Sequence, residues 1–213
     1  MTVLVVVAVD QECEAVLRDV PKGTEVDVLV SGVGPVAAAA ATAAALTTNS
    51  YEAVISAGVC GGLRGRSQVG QVVVAARTRP ADLGCRADDG FLTLEDMGLH
   101  QPSTVDHDRA GQWRDRLESA GVRATVGDVL TLSCMTGTDE EAESLAARFP
   151  DAVAEAMEGW GVVWPTLGRS VITGEVRAVS NLVGKRDPST WDLAGALDAL
   201  ARAFGVLLSG SLS

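Results

Sequence analysis

Two carboxylates stand where the chain has little else that is polar. Glu158 interrupts the stretch "AEAMEGWGVVW" (154–164), and Glu12 sits in "AVDQECEAVL" (8–17), just past an apolar run. An ionised carboxylate is costly to bury without partners, so Glu158 either faces water or meets something inside that needs it. A carboxylate facing a cleft has two uses: it takes a proton, or it accepts hydrogen bonds from hydroxyl groups. Asp10 and Glu14 flank Glu12, and spacing alone does not choose among the three. Two glycine-rich stretches accompany them, "SGVGPVAA" (31–38) and "SAGVCGGL" (56–63). Glycine there lets the backbone turn sharply or approach a ligand closely. Gly32, Gly34 and Ala37 fit G-x-G-x-x-A, yet a dinucleotide fingerprint opens after a first strand and has an acid ending the next. Here the loop follows the second apolar run and Glu52 precedes the third, so a tight turn lining a pocket is the better reading.

The elements around these residues alternate. "TVLVVVAV" (2–9) is a β-branched run suited to a strand covered on both faces. Residues 10–20 have helical spacing, 24–32 alternate as a strand, and 34–48 form an alanine-rich helix with Pro35 in its first turn. Residues 51–58 and 70–77 read as strands, 108–121 as an amphipathic helix and 122–133 as a strand pair or one long strand. Residues 139–149 read as a helix with an acidic start, 151–156 as a short strand, 175–181 as a strand and 191–210 as a long helix. Residues 79–104, punctuated by Pro, Gly and Asp, read as a long loop with one short strand. This pattern predicts an α/β fold: one domain over 1–213, three layers α/β/α, with a mainly parallel, mixed central sheet. In an open sheet of that kind ligands gather beyond the carboxyl ends of the strands. The unusual residues fall there: Asp10 and Glu12, Ser31 to Gly34, Ser56 to Gly62, Glu158, and Ser180 to Asn181.

Bulk composition narrows the function class. The chain has 213 residues and a formal net charge of −11, which disfavours phosphate backbones and anionic membrane surfaces. No apolar run nears the length of about 18 residues that spans a bilayer. The N-terminus lacks the basic segment and small-residue cleavage pattern of a signal peptide, so a cytoplasmic location is expected. Four cysteines (13, 60, 85 and 134) and two histidines (100 and 107) show no metal-ligand spacing, so free thiols, no metal and no cofactor are expected.

Five fragments, "AVDQECEAVL", "SGVGPVAAA", "SAGVCGGL", "FPDAVAEAMEGWGV" and "VRAVSN", together resemble the nucleoside phosphorylase and nucleosidase superfamily in order and spacing. Within it the chain is most similar to the futalosine hydrolases of menaquinone biosynthesis, through "AMEGWG", "VRAVSNLVGKRD" and "ADLGCRADDGFLTLEDMGL". The resemblance covers nearly the whole chain. It implies hydrolysis of an N-glycosidic bond in a purine nucleoside, with a methylthioadenosine or S-adenosylhomocysteine nucleosidase, or a purine nucleoside phosphorylase, as alternatives. It implies that Glu12 activates water and that Glu158 binds the ribose hydroxyls, with Met157 packing on the sugar. Asn181 stands where adenine-specific nucleosidases carry an aspartic acid that protonates the leaving base. An amide cannot give up a proton but donates hydrogen bonds, which suits the adjacent N7 and O6 acceptors of hypoxanthine. A flipped amide would also read adenine. Ser180 precedes Asn181, and Met135 and Thr136 resemble the base-contacting segment.

Ser56, Gly58 and Val59 occupy the second glycine stretch, where phosphorylases of the superfamily bring an arginine and a serine to phosphate. Ser56 and Val59 supply no such arginine, and the family gives Arg64 and Arg66 no such role, so water is the expected nucleophile. Loop 82–98 is expected beside the 5′ group of the substrate, a carboxylated aromatic in futalosine, with Arg77, Arg79 and Arg86 as available cations. Arg186 and Asp187 read equally as site-lip residues or as a turn. Family members are usually homo-oligomers, so a dimer or dimer-based assembly is expected.

Overall fold

The first strand follows from its composition. In the computed structural model, which describes residues 2–88, 90–99 and 107–212, every residue of Val3–Val7 (β1) is buried. Parallel strands flank it on both edges, β2 (Val26–Val30) and β3 (Ala53–Gly62). The main sheet continues through β4 (Val72–Pro80), β7 (Ala124–Thr131), β8 (Ala152–Ala156) and β9 (Ile172–Leu182) in the order β2-β1-β3-β8-β7-β4-β9. The short strands β5 (Gly84–Ala87) and β6 (Gly90–Thr93) form a separate antiparallel hairpin. His100 and part of the predicted loop 79–104 lie outside the described residues.

The sheet is not open, as the alternation suggested. β9 runs parallel to β3 along almost its whole length and antiparallel to β4 at Val72–Val74. β4 pairs with β7, β7 with β8, and β8 returns antiparallel to the end of β3 at Gly61 and Gly62. Five strands thus close a hydrogen-bonded ring, with β1 and β2 continuing from β3. Two glycines permit the closure. A Cβ on Gly61 would lie 2.9 Å from Val183 Cγ2, and one on Gly62 would lie 2.8 Å from Val179 Cγ1. β3 extends four residues past its predicted end and takes in the second glycine stretch as far as Gly62, through a bulge between Cys60 and Gly61. Cys60, Val73, Ala75, Val129, Ala154 and Val179 draw one apolar cluster from all five ring strands.

Helices cover the sheet. α1 (Asp10–Arg18), α3 (His107–Ser119) and α6 (Leu193–Leu207) bury Val16, Trp113, Leu117, Leu200 and Phe204 against Val3, Val5, Val7 and Val74. On the other face, α2 (Pro35–Thr48) and α5 (Gly159–Val163) pack Ala38, Leu46 and Val162 on Leu4, Val6 and Val54. α4 (Asp139–Arg148) closes the ring side through Leu145, beside Leu130 and Leu132. No helix among the described residues is long and apolar enough to cross a membrane.

Candidate active site

A cavity of about 560 Å³ opens where the carboxyl ends of β1, β8 and β9 meet the end of β3. That volume suits a small organic ligand. Glu12, Val33, Gly61, Met135, Thr136, Glu155, Met157, Glu158, Ser180, Asn181 and Trp191 are among the residues on its wall.

Local chain geometry chooses Glu12 over its neighbours. Val9 is the N-cap of α1, and Glu12 stands three residues later, where a carboxylate reaches back to unsatisfied amides. Its Oε2 accepts from Ala8 N at 2.9 Å and Val9 N at 3.4 Å. Its Oε1 accepts from Val59 N on β3 at 2.9 Å. Glu12 is buried on the cavity wall, while Asp10 and Glu14 are exposed and off it.

Glu158 does not face water. β8 delivers it to the start of α5, where Oε1 accepts from Gly34 N at 3.1 Å and Oε2 from Arg177 Nη1 at 3.2 Å. Arg177, from β9, is fully buried and spends all three groups of its guanidinium inside. Nε donates to Glu175 Oε1 at 2.9 Å and Nη2 to Ser56 Oγ at 2.9 Å. Glu175 accepts a further bond from Thr78 Oγ1 at 2.7 Å. Burial alone would lower the Arg177 pKa, but Glu175, Glu158 and Glu12 outweigh it and hold the guanidinium charged. Burial pushes the Glu175 carboxyl up despite the pull of Arg177. Gly58 lies beneath this cluster with φ +150, and a Cβ there would sit 2.8 Å from Arg177 Nη1 and collide with the Glu12 carboxylate.

Asn181 is half-buried at the end of β9, with its amide beside Ser180. Ser180 Oγ lies 2.8 Å from Asn181 Oδ1, to which it donates, and 3.2 Å from Cys60 O. Asn181 Nδ2 has only a long contact of 3.3 Å to Leu182 O among the described hydrogen bonds, so it is the end of the amide available to a ligand. Met157 is half-buried and Met135 is 52% exposed at the cavity edge. Arg186 lies over the Trp191 ring, 5.6 Å from its centroid, and both line the cavity.

Seven of the nine site residues read from the sequence share this wall: Glu12, Met135, Thr136, Met157, Glu158, Ser180 and Asn181. Ser56 and Gly58 do not. Ser56 is fully buried behind the wall, accepting from Arg177, and Gly58 makes room for Glu12. The alternatives at Asp187 resolve to a turn, with Asp187 accepting from Ser189 N at 3.1 Å. Arg77 bonds Asp128 and Asp151, and Arg79 bonds Glu95, while Arg86 lines a second cavity of about 510 Å³ beside Arg148. Arg66 donates to the carbonyls of Ala146, Phe149 and Ala152. Among the described residues, no group of three or more His, Cys, Asp and Glu is placed to hold a metal. The cysteines described are free thiols, and burial pushes Cys60 up to about 12.

Sequence reasoning missed Arg177 and Glu155. Both were in quoted fragments, "VRAVSN" and "AEAMEGWG", but each is one charged residue in a strand pattern. The available signal was the cost of burying any charge in such a run.

Residues 7–212 match the model of the family described as Phosphorylase superfamily. The chain belongs to the phosphorylase superfamily. A futalosine hydrolase of Streptomyces coelicolor is 43% identical to it over 228 residues, covering 97% of this chain and 95% of that protein. A futalosine hydrolase of Acidothermus cellulolyticus is 42% identical over 218 residues, covering 96% and 89%. The solved futalosine hydrolase of Helicobacter pylori superposes with a TM-score of 0.83 over 98% of this chain and 97% of that one, at 17% identity. This superfamily member therefore shares its fold with a distant relative and most of its length with near ones.

Proposed function

We infer that this protein hydrolyses the N-glycosidic bond of futalosine, releasing hypoxanthine and dehypoxanthine futalosine, within menaquinone biosynthesis. The observation that carries the reading is the identity of 42–43% to two futalosine hydrolases over nearly the whole chain. The cavity geometry supports it. Breaking the bond builds positive charge on the ribose ring, and the site must activate water, hold the sugar and support the departing base. Glu12 takes the proton from water, its carboxylate held in place by three backbone N–H groups. Glu158 accepts the ribose hydroxyl protons and places negative charge beside the developing cation. Arg177 positions Glu158 and gives it a counter-charge from behind. Met157 packs on the sugar, and Met135, Thr136 and Ser180 border the base. Ser56 and Gly58 support the site from beneath. Asn181 donates through Nδ2 to the acceptors of hypoxanthine.

Water as nucleophile is supported by the employment of nearby arginines. Arg177 is committed to Glu175, Glu158 and Ser56, and Arg66 to three carbonyls. We further propose one domain over 1–213 in three α/β/α layers, working in the cytoplasm without metal or cofactor. A homo-oligomer, dimeric or dimer-based, is supported by Val33 and Val36, 59% and 81% exposed beside the cavity and on α2.

The test is base release from futalosine, inosine and methylthioadenosine, each with and without phosphate. Hypoxanthine from futalosine without phosphate is the expected result. Adenine release from methylthioadenosine in its place, or a strict phosphate requirement, overturns the reading.

A further inference from the structure

Glu155 has no part in the chemistry described so far, yet it is a buried carboxylate on the same cavity wall. Thr136 alone holds it among the described residues. Thr136 N donates to Oε1 at 3.1 Å and Thr136 Oγ1 to Oε2 at 2.6 Å. Among the described residues it has no ion-pair partner, whereas Glu158 and Glu175 share Arg177. An ionised carboxylate has about four lone-pair sites, so two remain after Thr136. A buried carboxylate that is half satisfied and lacks a cation costs stability, which calls for a further donor.

Strand register shows where that donor comes from. Gly61 pairs with Glu155 on β8 and with Asn181 on β9. A Cβ on Gly61 would lie 3.4 Å from Glu155 Cγ and 3.6 Å from Asn181 Nδ2. The carboxylate and the amide therefore flank one side-chain-free floor on the same face of the ring. One side offers acceptors only and the other offers a donor. A 6-oxopurine presents the matching set: acceptors at N7 and O6, and an N1–H donor on its six-membered ring. Adenine presents an unprotonated N1, which meets lone pairs with lone pairs.

We propose that Glu155 selects a 6-oxopurine by accepting its N1–H, while Asn181 donates to the N7 and O6 side. This deepens the hypoxanthine reading above and rests on its placement of the base beside Asn181. Glu155 is a specificity residue in this scheme and gives no proton to the leaving base.

Calorimetric titration with free bases tests it without depending on turnover. Wild type is expected to bind hypoxanthine more tightly than adenine, and 1-methylhypoxanthine at least about tenfold more weakly than hypoxanthine. Glu155→Gln keeps an acceptor for Thr136 N and turns an N–H donor toward N1. It is expected to weaken hypoxanthine by about 10- to 100-fold and to leave adenine unchanged or tightened. Equal weakening of both bases in Glu155→Gln is what a purely structural role gives, and it overturns the assignment. So does wild type that binds 1-methylhypoxanthine as well as hypoxanthine, or binds no hypoxanthine; the methylated-base arm needs no variant to fold. Base selection through Glu155 with no cleavage of futalosine would sink the proposed reaction and leave this assignment standing. Futalosine cleavage with base preference unchanged in Glu155→Gln would do the reverse.

Discussion

Replacing Arg177 with methionine removes the one cation described among three buried carboxylates. Glu175 and Glu158 lose direct bonds of 2.9 and 3.2 Å, and Ser56 loses its donor. Removing one partner of a buried ion pair costs about 3–5 kcal/mol, because the other charge stays buried without compensation. For a chain of this size that is a fall in Tm of about 6–20 °C. The loss must depend on pH. Burial already raises the Glu175 carboxyl, and Arg177 is the largest influence pulling it back. Without Arg177 its folded-state pKa rises further above the unfolded value. A carboxyl raised in this way binds more protons folded than unfolded, so the variant loses stability as pH climbs through that window. The gap to wild type is therefore small near pH 5 and large near pH 7.5. Thermal melts of both proteins at about those two pH values measure it, and Glu175→Gln added to the variant should restore part of the loss. A Tm within about 2 °C of wild type at the higher pH would refute the account, as would a gap that fails to shrink at the lower one.

Other perturbations separate the roles along the wall. Glu12→Gln should lower kcat by about 10²- to 10⁴-fold with little change in KM, measured by hypoxanthine release. Gly58→Ala pushes a methyl group into the Glu12 carboxylate and the Arg177 guanidinium at a backbone angle side chains avoid. It should lower both kcat and Tm, and an unchanged melt would show that the cluster has room to move. Arg186→Ala should raise KM for futalosine about tenfold while leaving inosine nearly unaffected, if the guanidinium over Trp191 meets the carboxylate of the 5′ group. Asn181→Asp should raise turnover of methylthioadenosine relative to futalosine, read as the ratio of kcat/KM for the two.

What the sequence disclosed depended on whether the signal was local. β1 was legible because five apolar residues in a row leave no solvent face, and the two-sided flanking by β2 and β3 is what that run requires. Glu12 and Glu158 stood out because a carboxylate beside an apolar run invites a physical question at once. Ring closure was not legible. It rests on Gly61 and Gly62 tolerating close approach by Val183 and Val179, contacts made across more than a hundred positions of sequence. The same absence of local signal hid the division of labour at the second glycine stretch. Ser56 and Gly58 lie on one strand with Val59 and Gly61, yet the first two serve the layer beneath and the last two form the wall. Arg177 and Glu155 were hidden more simply: a strand alternates faces, and sequence alone did not say which face was the cavity.

The neighbours of the two foremost carboxylates fit the different work proposed for them. Glu12 is fixed by three backbone N–H groups, so the main chain sets the position of its carboxylate on the cavity wall. Glu158 is held by Gly34 N and by Arg177, which fixes the carboxylate proposed to accept the ribose hydroxyls. Glu175 then has a clear reason to exist. With one guanidinium between two carboxylates, Arg177 is locked from both ends and Glu158 inherits its fixed position. The cost is a buried net charge, and the fold answers it with Thr78 and with the close packing that Gly58 allows. Glu155 lacks even that arrangement, so its remaining lone pairs are the part of the wall most dependent on what enters the cavity.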